Sequence, residues 1–534
     1  MTDVSFGLSR SVSTSPSLAP HGNASSTPAV CTRPYIGIPA VLIGSIISTL
    51  AGRITTFGLA DIRGALHAGV DEGAWISTAL TVGQMMMGPV AVWLGGTFGV
   101  RRVLLGATAV FTLLSVFIPY ATNLPIFLTF YFLGGLASGT FIPLTLSFVL
   151  RNLPAHLAVY GIAAYAMNTE LSLNISASIE GWFIENLSWR WIFWQNAIAT
   201  PLMMLCVWFG IPREPINRDY LRGADWFGLG YCSVGFSLLY AALDQGNRLD
   251  WLNSGLICGL LLAGFLLVIA FVIHELRHDQ PLINLRFVIS GNIPILAALL
   301  IAFRFVLLST ALIIPQYLAT VQGFKSLQTG DVLLWIAAPQ LVLAPLVGKL
   351  LKHVDARLPL AAGFVLIGVA CFMATGLTQD WASDDFLPSQ IVQAIGQSLG
   401  FISLIWFATR HIYRGDAFTF GAFLQTFRLF GGELGVAFIG TFLRVREQFH
   451  SNLIGLHVAA GSYLTDQRLD QYRAAVTARS VGPAEANSRA AALLARVVQT
   501  QSNLLSYIDG FVVIGFSTVG CLALIALLRS PPAE

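Results

Sequence analysis

Residues 253–274 read NSGLICGLLLAGFLLVIAFVIH, a run without one Asp, Glu, Lys or Arg. At 1.5 Å per residue such a run crosses the ~30 Å hydrocarbon core of a bilayer as a helix, which satisfies its own backbone polar groups. Working outward, comparable apolar stretches lie near residues 36–59, 74–95, 102–121, 125–150, 159–182, 190–210, 225–243, 292–318, 330–351, 358–377, 387–408, 417–443 and 508–529. Hydrophobic residues make up 55% of the chain and charged residues 11%. A soluble domain carries about 25% charged residues, so there is too little polar material here to cover a water-facing surface. The expected fold class is an all-α polytopic membrane protein with fourteen transmembrane helices.

Basic residues set the expected orientation, because cytoplasmic loops retain them. With the N-terminus inside, sixteen Lys and Arg fall on the cytoplasmic side, and the short outer loops hold four: Arg63, Arg190, Arg248 and Lys325. Both termini are thus expected in the cytoplasm, in a bacterial inner membrane. The net charge of +3 reflects this asymmetry and gives no reason to expect nucleic acid. Residues 1–34 are rich in Ser, Thr and Pro and read as a disordered tail; the first helix is expected to act as an uncleaved anchor. Of the six cysteines, five sit in apolar segments and Cys31 in the tail, which suggests neither a disulfide framework nor a metal site. No P-loop, GxSxG or GxGxxG motif occurs. No cofactor is expected, and an enzyme or ATP-driven pump is not indicated.

An internal echo divides the chain. Pro89 to Arg101 and Pro345 to Arg357 span the same number of residues, each joining the second and third helices of a six-helix set. The halves would be helices 1–6 (35–212) and 9–14, with helices 7 and 8 inserted within 213–290. Parallel repeats of this kind build major facilitator transporters. Several stretches carry a closer resemblance: Gly58-Leu59-Ala60-Asp61-Ile62 with Asp71-Glu72-Gly73-Ala74-Trp75; Ser188-Trp189-Arg190-Trp191-Ile192-Phe193; and Asp225 with Ala241-Ala242-Leu243-Asp244-Gln245-Gly246. Together with Gly348, Asp355 and Arg357, these resemble the fourteen-helix drug:proton antiporters of EmrB/QacA type in the major facilitator superfamily. The resemblance implies two six-helix bundles plus two inserted helices, and conformational loop motifs at Gly99, Arg101, Arg102, Gly348, Asp355 and Arg357. The chain departs from the family where helix 4 has Tyr131 in place of an arginine, where helix 5 reads Ser176-Ala177-Ser178-Ile179-Glu180-Gly181, and where the helix 2–3 loop lacks its acid.

An ionisable residue at membrane depth costs at least ~2.5–3.5 kcal/mol, so it is rarely there without a role. Arg53, Glu170, Arg304, Arg428 and Glu433 fall within the spans, with Glu180 nearer an end. First and fifth helices of each half carry one arginine and one glutamate respectively, and the expected pairs are Arg53–Glu170 and Arg304–Glu433. An arginine that approaches or leaves such a carboxylate changes whether it keeps its proton. Glu170, Glu433 and Glu180 are therefore proton-coupling candidates, and Arg53, Arg304 and Arg428 their charge partners or anion anchors; static structural pairs are the plainer alternative. Asn168, Asn174, Gln84, Gln316 and Tyr131 are substrate-cavity candidates that can equally be glue between helices.

Residues 444–507 form a long polar stretch outside the expected cytoplasmic face. Pro483 begins a helical pattern expected to run straight into helix 14 (508–529), with a matching extension from Arg444 to Leu456. In the EmrB-like branch such a segment suggests docking to a periplasmic adaptor that leads to an outer-membrane channel. The functional expectation is proton-coupled export of small amphipathic compounds. An exporter of one organic acid and a non-transporting scaffold or sensor stand as alternatives.

Overall fold

In a computed structural model, the described residues are 33–278, 289, 291–411, 417–458, 461–478 and 483–529. The expected tail lies, through residue 32, outside them. Among the described residues the chain folds into long helices joined by short turns: α1 Pro34–Ala65, α2 Trp75–Phe98, α3 Val100–Phe117, α4 Leu124–Asn152, α5 Ala155–Asn186, α6 Trp191–Gly210 and α7 Trp226–Gly246. Then follow α8 Gly255–Arg277, α9 Ile293–Thr320, α10 Ser326–Leu350, α11 Arg357–Met373, α12 Ser383–Thr409, α13 Ala417–Gly455 and α14 Pro483–Ala526. Twelve are long and apolar enough to cross a membrane by length and composition. The other two are α2 and α5; polar residues such as Gln84, Asn168, Glu170 and Asn174 interrupt their apolar runs.

Local chemistry starts and interrupts these helices. Asn123 Oδ1 accepts from the Ile126 N–H at 3.0 Å, and Pro125 fills the first turn of α4, where an N–H would have no partner anyway. The sequence reading expected α4 to be continuous, but it breaks at Thr140. Pro143 has no N–H to give the Gly139 carbonyl, and the chain tightens there into a bond from Thr140 N–H to the Ala137 carbonyl. In α9 a π-turn at Ser309–Ile313 precedes Pro315, which likewise cannot donate to the carbonyl of Ala311.

Helix neighbours reveal the repeat. In the first half α1 packs on α5 and α6, α2 on α4, and α3 on α6; in the second, α9 packs on α13 and α14, α10 on α12, and α11 on α14. The main contacts between halves, α5 with α10 and α12 and α13 with α2 and α4, are exchanged in pairs by the same correspondence. The α5–α10 seam is very tight: a Cβ at Gly330 would stand 2.5 Å from the Ser178 backbone nitrogen. Gly135, in a small-xxx-small pair with Gly139, lets α4 close on α2, where a Cβ would lie 2.1 Å from the Leu80 carbonyl oxygen. Helix α7 leans on α2 and α13, and α8 packs chiefly on α7. Helices α13 and α14 run without a break past 444 and back from 483, with a helix at Tyr463–Thr477 packed on α14.

Candidate substrate and proton cavity

Between the halves lies a cavity of about 250 Å³. Its walls come from α1 (Ser48, Thr49, Arg53), α2 (Ser77, Thr81, Gln84), α7 (Tyr240, Asp244), α9 (Arg304, Leu308, Ala311) and α13 (Arg428, Glu433, Val436). Three guanidiniums and two carboxylates therefore face one space, in a region where charge is expensive.

The charge pairing differs from the expected one. Arg304 Nη1 lies 4.0 Å from Glu170 Oε1, so the contact joins the second half to the first. Glu170 is 3% exposed, and neither of its carboxylate oxygens has a hydrogen-bond partner among the described residues. Arg53 does not pair with Glu170; its Nη2 donates at 3.1 Å to the Ala311 carbonyl, the group that Pro315 leaves unserved, and the acid whose field reaches it is fully buried Glu180. Glu433 is not held by Arg304 but shares its part of the cavity wall with Tyr240 and Asp244 of α7. The first-to-fifth helix contacts of both halves exist, yet the charges point around those helices to other neighbours. Arg428 donates to Gln425 Oε1 at 3.0 Å from Nη2.

Polar candidates divide between glue and lining. Gln84 lines the cavity while its Nε2 donates to the Ser48 carbonyl at 3.0 Å and Ser138 Oγ at 3.1 Å. Asn168 donates to the Leu42 carbonyl and, at 2.7 Å, to Ser45 Oγ, fastening α5 to α1. The Tyr131 hydroxyl donates to the Ala51 carbonyl at 2.9 Å, tying α4 to α1. Asn174 donates to Gln340 Oε1 at 3.3 Å and Gln397 Oε1 at 3.2 Å, a buried amide cluster linking α5, α10 and α12. Gln316 is exposed on the outside of α9 and does not reach the cavity.

The reading of single residues missed Asp244 and Tyr240, because α7 was treated as an insertion outside the bundle. Thr78 Oγ1 donates to Asp244 Oδ2, and Gln245 Nε2 donates to Thr78 Oγ1 at 2.6 Å, fixing the end of α7 against α2. A carboxylate just before Gln245-Gly246 in an otherwise apolar helix was the available signal.

At the opposite end from the α13–α14 extension, Gly99 takes φ +83° between α2 and α3. Arg101 covers the Trp208 ring at 4.8 Å, and Arg102 Nη1 donates to the Phe98 and Glu214 carbonyls at 3.1 and 3.0 Å. In the second half Arg357 grips Asp355, Nη2 to Oδ2 at 2.7 Å, and donates to the Leu528 carbonyl at 3.1 Å; this holds the Asp355 carboxyl below its usual range. A Cβ on Gly348 would meet Ala163 and Tyr160 of α5 at 3.5–3.6 Å.

The family model of the Major Facilitator Superfamily matches residues 41–436. The chain belongs to that superfamily: it is a multi-pass integral membrane protein and a transporter rather than an enzyme. Its relatives are of the EmrB type to which the sequence motifs pointed. The fatty acid resistance protein FarB of Neisseria gonorrhoeae is 25% identical over 397 residues, covering 74% of this chain and 78% of that protein. The probable multidrug resistance protein EmrY of Escherichia coli K12 is 26% identical over 422 residues (77% and 80%), and the multidrug export protein EmrB of Haemophilus influenzae 24% over 431 (78% and 82%). Among solved structures, a POT family transporter in complex with 5-aminolevulinic acid superposes with TM-score 0.55 at 14% identity, covering 93% of this chain and 96% of that one. The human organic anion transporter MFSD10 gives 0.54 at 13%, covering 91% and 98%. These last likenesses speak to fold alone.

Proposed function

We propose that this protein is a proton-coupled exporter of amphipathic toxic compounds, a reading supported by relatives named for multidrug export and resistance. One observation carries the reading: both halves and α7 turn ionisable side chains into a shared central cavity, and the Glu170–Arg304 contact spans the division between halves. If the halves rock about a site near the midplane, the Glu170–Arg304 distance changes with each stroke. That change couples the acid's proton to the motion. The apolar part of the wall accepts varied ring systems and the few polar groups orient them, which favours loose specificity. Both termini face the cytoplasm of a bacterial inner membrane in this reading, and the α13–α14 extension (444–507) reaches a periplasmic adaptor.

The test is substrate-driven proton movement in proteoliposomes, comparing the native protein with Glu170→Gln. Loss of the proton signal in the variant supports Glu170 as carrier; full coupled export in the variant removes it from the mechanism. Export of one organic acid is the second reading, favoured by three arginines against two acids on the cavity wall. A narrow, anionic substrate profile in the same vesicles would select it. Silence with cationic and anionic compounds alike would leave a scaffold or sensor. Co-purification of an adaptor that is lost on removing 459–480 tests the docking role.

A further inference from the structure

The ends of α7 and α8 opposite the α13–α14 extension bring together groups that the transport reading does not use. Asp225 caps α7: its Oδ1 accepts from the Gly228 N–H at 2.9 Å and lies 2.8 Å from His274 Nε2 in the last turn of α8. One turn on, His278 closes α8, its N–H bonded to the His274 carbonyl at 2.9 Å and its ring centroid 5.1 Å from that of His274. Residues four apart share a helix face, so both imidazoles point to the same side as the carboxylate. One ligand atom from each of the three lies within 4.8 Å of the others. Asp225 is 8% exposed, and its second oxygen, Oδ2, is buried without a hydrogen-bond partner among the described residues. Phe227 and Tyr231 flank His274, at 6.5 and 6.0 Å between ring centroids, and limit its rotation.

We propose that Asp225, His274 and His278 form a site for a divalent transition-metal ion of zinc type that staples α7 to α8. Two imidazoles and one carboxylate are the donor set such ions take, with water in the fourth position. Bonds of about 2.0–2.2 Å place neighbouring donors roughly 3.4 Å apart in a tetrahedron, which a modest turn of His278 at the helix end achieves. The buried, unpaired Asp225 oxygen gains a partner at the same time. Since α8 is held chiefly by α7, an ion here fixes the end of a helix that otherwise faces lipid. No contiguous motif announces the site, because Asp225 and His274 stand 49 positions apart.

Tag-free full-length protein in detergent, dialysed against Zn²⁺, should retain one ion per chain, and Co²⁺ should give the visible absorption of a tetrahedral N/O site. His274→Ala and His278→Ala should each weaken binding by at least about tenfold, in line with the cost of disturbing a metal site. Absence of saturable binding, or unchanged binding in the doubly substituted protein, overturns the proposal and leaves an ordinary hydrogen-bonded pair. A second measurement needs no variant. Zn²⁺ should protect His274 and His278 of the native protein from diethyl pyrocarbonate while exposed His457 reacts as before; equal modification with and without Zn²⁺ also overturns it.

Discussion

Arg53 and Arg304 sit in corresponding helices of the two halves, yet one is anchored to a carbonyl and the other to an acid across the molecule. Replacing Arg304 by Ala leaves Glu170 buried with no cation within 4 Å among the described residues, and breaking a buried pair this way costs about 3–5 kcal/mol. We expect Arg304→Ala to lower the melting temperature in detergent, and a second change, Glu170→Gln, to recover part of the loss; equal melting of single and double variants would count against the pairing. Asp355 offers a pH test away from the membrane interior. Its carboxyl is held low by Arg357, so the pair's contribution is present above the ordinary aspartate value of about 4 and is lost as pH falls through the lower folded value. Arg357→Gln should therefore weaken stability at pH 7 and weaken it less as pH falls and Asp355 takes up its proton, where the lost bond to the Leu528 carbonyl remains; thermal unfolding across that range reads the difference. The intramembrane acids and arginines were legible in the sequence because charge is rare at that depth. Their partners were not, since helical pairing says which helices meet but not which way each side chain turns.

At the scale of the element, the spans were legible and their interruptions were not. A proline announces a missing donor, but only packing decides whether the helix breaks, as at Thr140, or widens, as at Ser309–Ile313. The extension of α13 and α14 depends on a small ionic cluster. Arg446 Nε and His450 Nε2 meet Asp509 Oδ2 at 2.6 and 2.7 Å, all partly exposed, which puts the cluster on the order of 1 kcal/mol. Asp509→Asn should speed limited proteolysis in the connection after Gly455 while leaving transport in vesicles intact. An unchanged cutting rate would show that the helices are held by apolar packing alone.

For the whole molecule, two of the seams between halves, α5–α10 and α2–α13, are related by symmetry but not by tightness. At α5–α10 backbone meets backbone, whereas at α2–α13 a Cβ on Gly88 would find side chains alone, the Thr426 hydroxyl at 3.5 Å and Gln425 Cγ at 3.8 Å. Any rocking motion has to part the α5–α10 seam, so Gly330→Leu should act as a wedge. Overpacking of about 1–3 kcal/mol shifts a two-state balance by roughly 5–150-fold. A cysteine reporter at Ser77, labelled with an impermeant maleimide from the extension side, should react faster in the wedged protein; an unaltered rate would mean that the seam does not govern access. The twofold arrangement itself was legible from the paired Pro-to-Arg loops, while the part α7 plays in the cavity emerged only from where Tyr240 and Asp244 come to rest.

That α7 and α8 come as two carries a consequence for how the chain is made. Parity matters during insertion: an even number of crossings lets α9–α14 enter with the same polarity as α1–α6, which a parallel repeat demands. Deleting α8 alone would thread the second bundle upside down, whereas deleting the pair would keep its direction and strip Tyr240 and Asp244 from one flank of the cavity.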